Sequence, residues 1–129
     1  MNYDQKIKEL LLLTGAEGAS DLHIGVARKP MLRIDGVLVP VEREPLLTPE
    51  TAQGLIFAML TPEQKEKLVM KREIDFSFSL EEKARFRVNV YYQRGYIAAA
   101  LRLIPWNIRT IEQLNLPPIL HEFTKIQQG

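Results

Sequence analysis

The spacing of apolar residues changes period partway along the chain. In residues 3–14, Tyr3, Ile7, Leu10, Leu11 and Thr14 fall on one stripe at helical spacing, which predicts an amphipathic helix stopped by Gly15 and Gly18. Residues 21–26 read as a short strand. The run from Met31 to Val39 reads as a hairpin about Asp35-Gly36. That dipeptide suits a two-residue type I′ turn, whose central positions both need positive φ. The turn sets Ile34 opposite Val37 and Leu32 opposite Val39. Two helices follow, at about 48–60 and 61–71. Thr48-Pro49 and Thr61-Pro62 each put a hydroxyl cap before a proline at the first helical position, and Gln64 completes a capping box with Thr61.

Beyond residue 73 the period becomes two. Ile74, Phe76, Phe78 and Leu80 alternate with Asp75, Ser77 and Ser79. Phe86, Val88, Val90 and Tyr92 alternate with Arg85, Arg87, Asn89 and Tyr91, and Ile97, Ala99, Leu101 and Leu103 form a third series. Three antiparallel strands with one buried and one open face give this signature. Helices on the apolar side of such a sheet make an α+β fold. Residues 105–118 read as a linker holding a short helix at 111–114, and Pro117-Pro118 opens a last helix at about 118–127.

The chain has 129 residues, 46% of them hydrophobic and 26% charged, which suits one folded domain with a tail and excludes a low-complexity chain. Seventeen Lys and Arg against sixteen Asp and Glu leave a net charge of +1, so no global field draws the protein to nucleic acid or an anionic membrane. No cysteine is present, which excludes disulfides and thiolate chemistry and fits a reducing compartment. No apolar run is long enough to span a bilayer, and the N-terminus lacks the apolar segment of a secretory signal. No nucleophile stands beside a base, no Gly-x-x-x-x-Gly-Lys-Ser/Thr loop occurs, and nothing is spaced as a metal site.

The candidate chemistry is a pair of arginines. A turn centred on Arg94-Gly95 sets Val88 opposite Leu101, Phe86 opposite Leu103 and Val90 opposite Ala99. The same register sets Arg87 directly opposite Arg102 on the polar face, among the neutral neighbours Asn89, Ala98 and Ala100. Like charges in directly opposed positions destabilise a sheet, with Cβ atoms about 4.5–5.5 Å apart. An anion bridging two guanidinium forks resolves the conflict. The alternative is that both arginines fan into water or pair with Asp75 or Glu73 on the neighbouring strand. His23 reads as a structural strand histidine and His121 as a solvated one. Trp106 reads as an anchor for the linker, and the charged run from Glu63 to Lys67 as a solvated helix face.

Five segments in order carry a family resemblance: Ala19-Ser-Asp-Leu-His-Ile24, Pro30-Met-Leu-Arg-Ile-Asp-Gly36, Asp75-Phe-Ser-Phe78, Ala84-Arg-Phe-Arg-Val-Asn89 and Leu101-Arg-Leu-Ile-Pro105. Together with Thr110-Ile-Glu-Gln-Leu-Asn-Leu-Pro117, they resemble the N-terminal domain of type IV pilus retraction ATPases, a branch of the secretion ATPase superfamily. The loop Gly25-Val-Ala-Arg-Lys-Pro30 departs from the family pattern, and the short helix before Ala19 suits the retraction branch better than the extension branch.

The resemblance implies a PAS-like domain over residues 1–104, with antiparallel sheet and helices on one face. It implies that 105–129 is an interdomain linker and first helix leading to a RecA-like ATPase domain outside this chain. It further implies a cytoplasmic, hexameric motor of twitching motility that binds ATP and Mg, both held by the RecA-like domain and neither tightly by this fragment. By motif, Arg87 and Arg102 match arginines that reach the nucleotide phosphates, with Arg85 and Arg94 as supporting cations. The implied partners are the protein's own RecA-like domain, neighbouring subunits of a homohexamer and an inner-membrane pilus platform protein. Nucleic acid, direct membrane insertion and a metal ligated by this chain are not expected, and neither is catalysis by this chain alone. The competing reading is a PAS-like sensor or protein-interaction module without a nucleotide role.

Overall fold

Helix formation follows the caps. In the computed structural model, which describes residues 2–80 and 84–104, α1 spans Tyr3–Ala16 and begins where the Asn2 side chain accepts from the Gln5 amide at 3.1 Å. It buries Ile7, Leu10, Leu11 and Thr14, whose hydroxyl donates to the Leu10 carbonyl at 2.8 Å. The expected stop at Gly15 does not operate, because the helix continues to Ala16. Gly18, at φ +69°, turns the chain instead, as a left-handed position after a helix favours glycine.

α2 spans Pro49–Phe57 and α3 spans Pro62–Lys71. Thr48 and Thr61 cap them, with Pro in the first turn of each, and Thr61 and Gln64 make both bonds of the capping box, at 3.2 and 2.9 Å. α2 ends at Phe57, short of the expected residue 60. α3 stops without a glycine. Arg72 takes the left-handed conformation (φ 63°) and its guanidinium lies 3.8 Å from the centroid of the Tyr92 ring, a cation–π contact that offsets the backbone cost.

The strands are β1 (Asp21–Ile24), β2 (Met31–Ile34), β3 (Val37–Pro40), β4 (Glu73–Leu80), β5 (Ala84–Gln93) and β6 (Tyr96–Ile104). They form one antiparallel sheet in the order β3-β2-β1-β6-β5-β4. β1 is shorter than the expected 21–26. Asp35 and Gly36 both have positive φ (51° and 82°), as a type I′ turn needs, and the hairpin pairs Ile34 with Val37 and Leu32 with Val39. Arg94 and Gly95 (53° and 85°) turn the β5–β6 hairpin in the same way, with the expected pairs Val88–Leu101, Phe86–Leu103 and Val90–Ala99.

One core joins helices and sheet. Leu10 and Leu11 of α1, Leu55 and Ile56 of α2 and Leu68 of α3 are buried with Leu22, Ile24, Phe86, Val88, Val90 and Leu101 of the strands. The α+β class read from the sequence is the class observed. Among the described residues no helix is long and apolar enough to cross a membrane. The linker from 105, the helices expected at 111–114 and 118–127, Trp106 and His121 all lie outside the described residues.

Candidate functional site

The sheet face opposite the helices carries the polar positions of β1, β2, β4, β5 and β6. Pairing across all six strands lines up Ser77, Arg87, Arg102, Asp21, Arg33 and Leu38 in one row, from β4 to β3. Arg87 and Arg102 are direct cross-strand partners and both are exposed. Among the described residues Arg87 makes no hydrogen bond and no ion pair. Arg102 donates from Nε to Oδ2 of Asp21 at 3.4 Å, while its side chain remains 74% exposed.

The alternative pairing of these arginines with Asp75 or Glu73 does not form. Those carboxylates accept from Asn89 Nδ2 at 2.8 and 3.1 Å instead. The acid that reaches an arginine comes from the other side, from β1, because β1 and not the β2–β3 hairpin pairs with β6. Asp21 is only 7% exposed although Arg87 and Arg102 in the same row are exposed, and its Oδ1 accepts from the Ser20 hydroxyl at 2.5 Å. Arg33, the other cross-strand partner of Asp21, donates from Nη1 to the Gly36 carbonyl at 3.0 Å.

Arg85 lies two residues from Arg87 on the same exposed face, opposite Ile104. Arg94 occupies the β5–β6 turn, six residue pairs beyond the Arg87–Arg102 pair and so about 20 Å along the strands. The fold brings Arg85 to the arginine pair and holds Arg94 away from it. Ala100 is half-buried beside the pair, while Ala98, expected among the open neighbours, is buried.

His23 sits in the adjacent row, between Ala100 and Met31. Its Nε2 is buried and lacks a hydrogen-bond partner among the described residues. Burial pushes its pKa below the ordinary value, Arg33 and Arg28 push the same way, and Asp21 opposes them. Asp21 and Arg33 are the site residues the sequence reading did not single out. The alternation Asp21-Leu22-His23-Ile24 puts Asp21 on the polar face, but no local signal names β6 as its neighbour.

The site is a cationic sheet face on which, among the described residues, the whole guanidinium of Arg87 and the terminal amino groups of Arg102 have no acceptor. That donor set fits a phosphate group, which takes planar bidentate donors well. The space between sheet and helices is filled, with Phe86, Leu22, Leu55, Ile56, Leu68 and Leu101 at 1% exposure or less. A small-molecule sensor of the PAS type would need room there.

No protein-family model matches the sequence. Individual relatives do. The chain is 32% identical over 124 residues to the type IV pilus ATPase PilU of Pseudomonas aeruginosa, covering 96% of this chain and 32% of that protein. It is 32% identical over 123 residues to the type IV pilus retraction ATPase PilT of the same organism, covering 95% of this chain and 36% of that protein. The crystal structure of the pilus retraction motor PilT with bound ADP superposes with a TM-score of 0.69 at 40% identity, over 74% of this chain and 28% of that one.

This chain is homologous to the N-terminal part of the PilT and PilU type IV pilus ATPases. It spans about a third of the length of those curated relatives.

Proposed function

We propose that this chain is the N-terminal domain of a hexameric pilus retraction ATPase, lending Arg87 and Arg102 to the phosphates of ATP held by a RecA-like domain. Residues 1–104 form the domain, and 105–129 lead into the ATPase domain, with 105–116 as the hinge. The observation that supports the reading is the arginine pair, set side by side on an exposed face, with Arg87 unpartnered among the described residues and Arg102 held only through Nε, in a chain homologous to the N-terminal part of PilT. Guanidinium groups aimed at a transferring phosphoryl group stabilise the charge that develops on it. Arg85 adds positive potential beside the pair. Arg94, at the far turn, takes no part in the grip.

Mg and the phosphate-binding loop belong to the RecA-like domain, so this chain alone hydrolyses no ATP. Closure of the two domains around nucleotide, and release after hydrolysis, convert chemistry into movement that disassembles the pilus. The motor works on the cytoplasmic side, against an inner-membrane platform protein. In the full-length protein, Arg87→Ala and Arg102→Ala each lower ATP hydrolysis by about 10²–10³-fold, the cost of removing one preorganised donor. Circular dichroism and thermal unfolding of the same variants stay close to wild type. Wild-type turnover in either variant would overturn the reading.

A second reading has one observation behind it. The edge strand β3 exposes Val37, Leu38 and Val39 in succession, at 62%, 41% and 39%, as a protein-docking edge would. A pure interaction module predicts that the arginine variants leave hydrolysis intact and that substitutions in β3 disturb assembly.

A further inference from the structure

We propose that Asp21 is a positioning residue for Arg102: its buried carboxylate holds the guanidinium by Nε and leaves both terminal amino groups free to grip phosphate. The inference rests on the reading of Arg87 and Arg102 as phosphate ligands.

Three features set this carboxylate apart from a casual surface ion pair. It is 7% exposed in the middle of an open sheet face, where its neighbours in the row are arginines. Its two oxygens are divided between partners. Oδ1 accepts from the Ser20 hydroxyl at 2.5 Å and Oδ2 accepts from Arg102 Nε at 3.4 Å. And it stands in register with two arginines yet contacts only one. Arg33 turns away to the Gly36 carbonyl, so the carboxylate is left for Arg102.

The choice of nitrogen matters. A guanidinium has five N–H donors, of which Nε carries one and the two terminal nitrogens carry four. A contact through Nε fixes the plane of the group without consuming the fork that matches a phosphate. Among the described residues no other acceptor takes those terminal nitrogens. An arginine left loose on a strand keeps rotamer freedom that it must give up on binding. Asp21 removes part of that freedom in advance.

A carboxylate two strands from Arg87 also lowers the local positive potential. If it acted only through its field, its removal would strengthen phosphate binding and leave turnover alone or raise it. Positioning predicts the opposite for turnover, and this separates the two roles.

The test uses the full-length protein and ATP. Asp21→Ala is expected to lower kcat by about 10–100-fold, the scale of a misplaced catalytic group, with KM for ATP unchanged or lower. Asp21→Asn keeps the shape of the side chain and an oxygen for Ser20, and repeats the test with the packing preserved. In an Arg102→Ala background neither Asp21 variant lowers kcat further, because the residue acts through Arg102. Three results overturn the proposal: kcat within twofold of wild type in the Asp21 variants, a rise in kcat, or the same fold-loss whether or not Arg102 is present. If Arg102→Ala alone keeps wild-type turnover, the phosphate-ligand reading itself fails. If Arg102→Ala is impaired while the Asp21 variants are not, only the positioning role fails.

Discussion

Arg87→Gln separates what the arginine pair does for the fold from what it does for turnover. Glutamine keeps most of the length of the side chain and removes the charge. Arg87 and Arg102 leave the backbone at directly opposed positions, with Cβ atoms about 4.5–5.5 Å apart. Arg102 leans toward Asp21 on β1, away from Arg87, so the charged groups sit on the order of 8 Å apart. Two unit charges at that distance in water repel by about 0.5 kcal/mol, and salt at physiological strength cuts this to about 0.2 kcal/mol. Since Arg87 has no partner among the described residues, nothing comparable is lost. The variant is therefore expected to be as stable as wild type or slightly more so. At about 10 mM salt its melting temperature rises by up to about 2–4 °C, and at about 150 mM the gain nearly vanishes. Hydrolysis by the full-length variant falls by about 10²-fold or more. Thermal unfolding at the two salt concentrations, beside a steady-state ATPase assay, reads both effects. A stability loss above about 1 kcal/mol would show that Arg87 holds the fold together. Undiminished hydrolysis would show that the strained pair has no use in turnover.

Two further outcomes test the packing and the electrostatics. A Cβ on Gly54 would meet the Tyr3 ring at 2.5 Å, so Gly54→Ala lowers the unfolding free energy by about 1 kcal/mol net, overpacking outweighing the better helix propensity of alanine. With Tyr3→Ala already in place the same substitution becomes stabilising, and failure of the sign to reverse in urea titrations would refute the contact. For His23 the sign follows from its depressed pKa: the unfolded chain takes up the proton first as pH falls, so stability is fully present above about pH 6.5 and is lost below it. Urea midpoints between about pH 7 and pH 5 should fall in wild type and flatten in His23→Gln, and equal slopes would exclude His23 as the source.

Legibility in the sequence tracked the range of the interaction. Caps are local, and Thr48, Thr61 and Gln64 start their helices where the spacing says. Two-residue turns are also local, and Asp35-Gly36 and Arg94-Gly95 fix their hairpins residue for residue. The Arg87–Arg102 pairing was readable because one tight turn determines it. Helix ends were less readable. Gly15 does not stop α1, and Arg72 ends α3 in a left-handed conformation steadied by Tyr92, twenty residues further on. Least readable was the pairing of β1 with β6, which joins Asp21 to Arg102 across 81 residues. Alternation gives the face on which a side chain stands but not the strand that will lie beside it. Alternation therefore offers Asp75 and Glu73 on β4 as acids for the pair, whereas in the structure they hold Asn89.

The charge count along the row bears on the proposed role of the site. Three arginines and one aspartate leave two positive charges on one line across the sheet, and the nearby carboxylates of Asp75 and Glu73 are directed to Asn89. Such an arrangement costs a little stability, which a docked anion would offset under the proposed function. The face is open, so a phosphate free in solution meets guanidinium groups that water and salt screen well, and gains little. The same phosphate carried in by another domain arrives with water excluded from around it, where each charge–charge contact is worth several times more. The weakness of the open arginine face toward free anions and its strength toward a docked one thus have a single cause. Under the proposed function, that difference would let closure on a nucleotide held by another domain be favoured over binding of free phosphate.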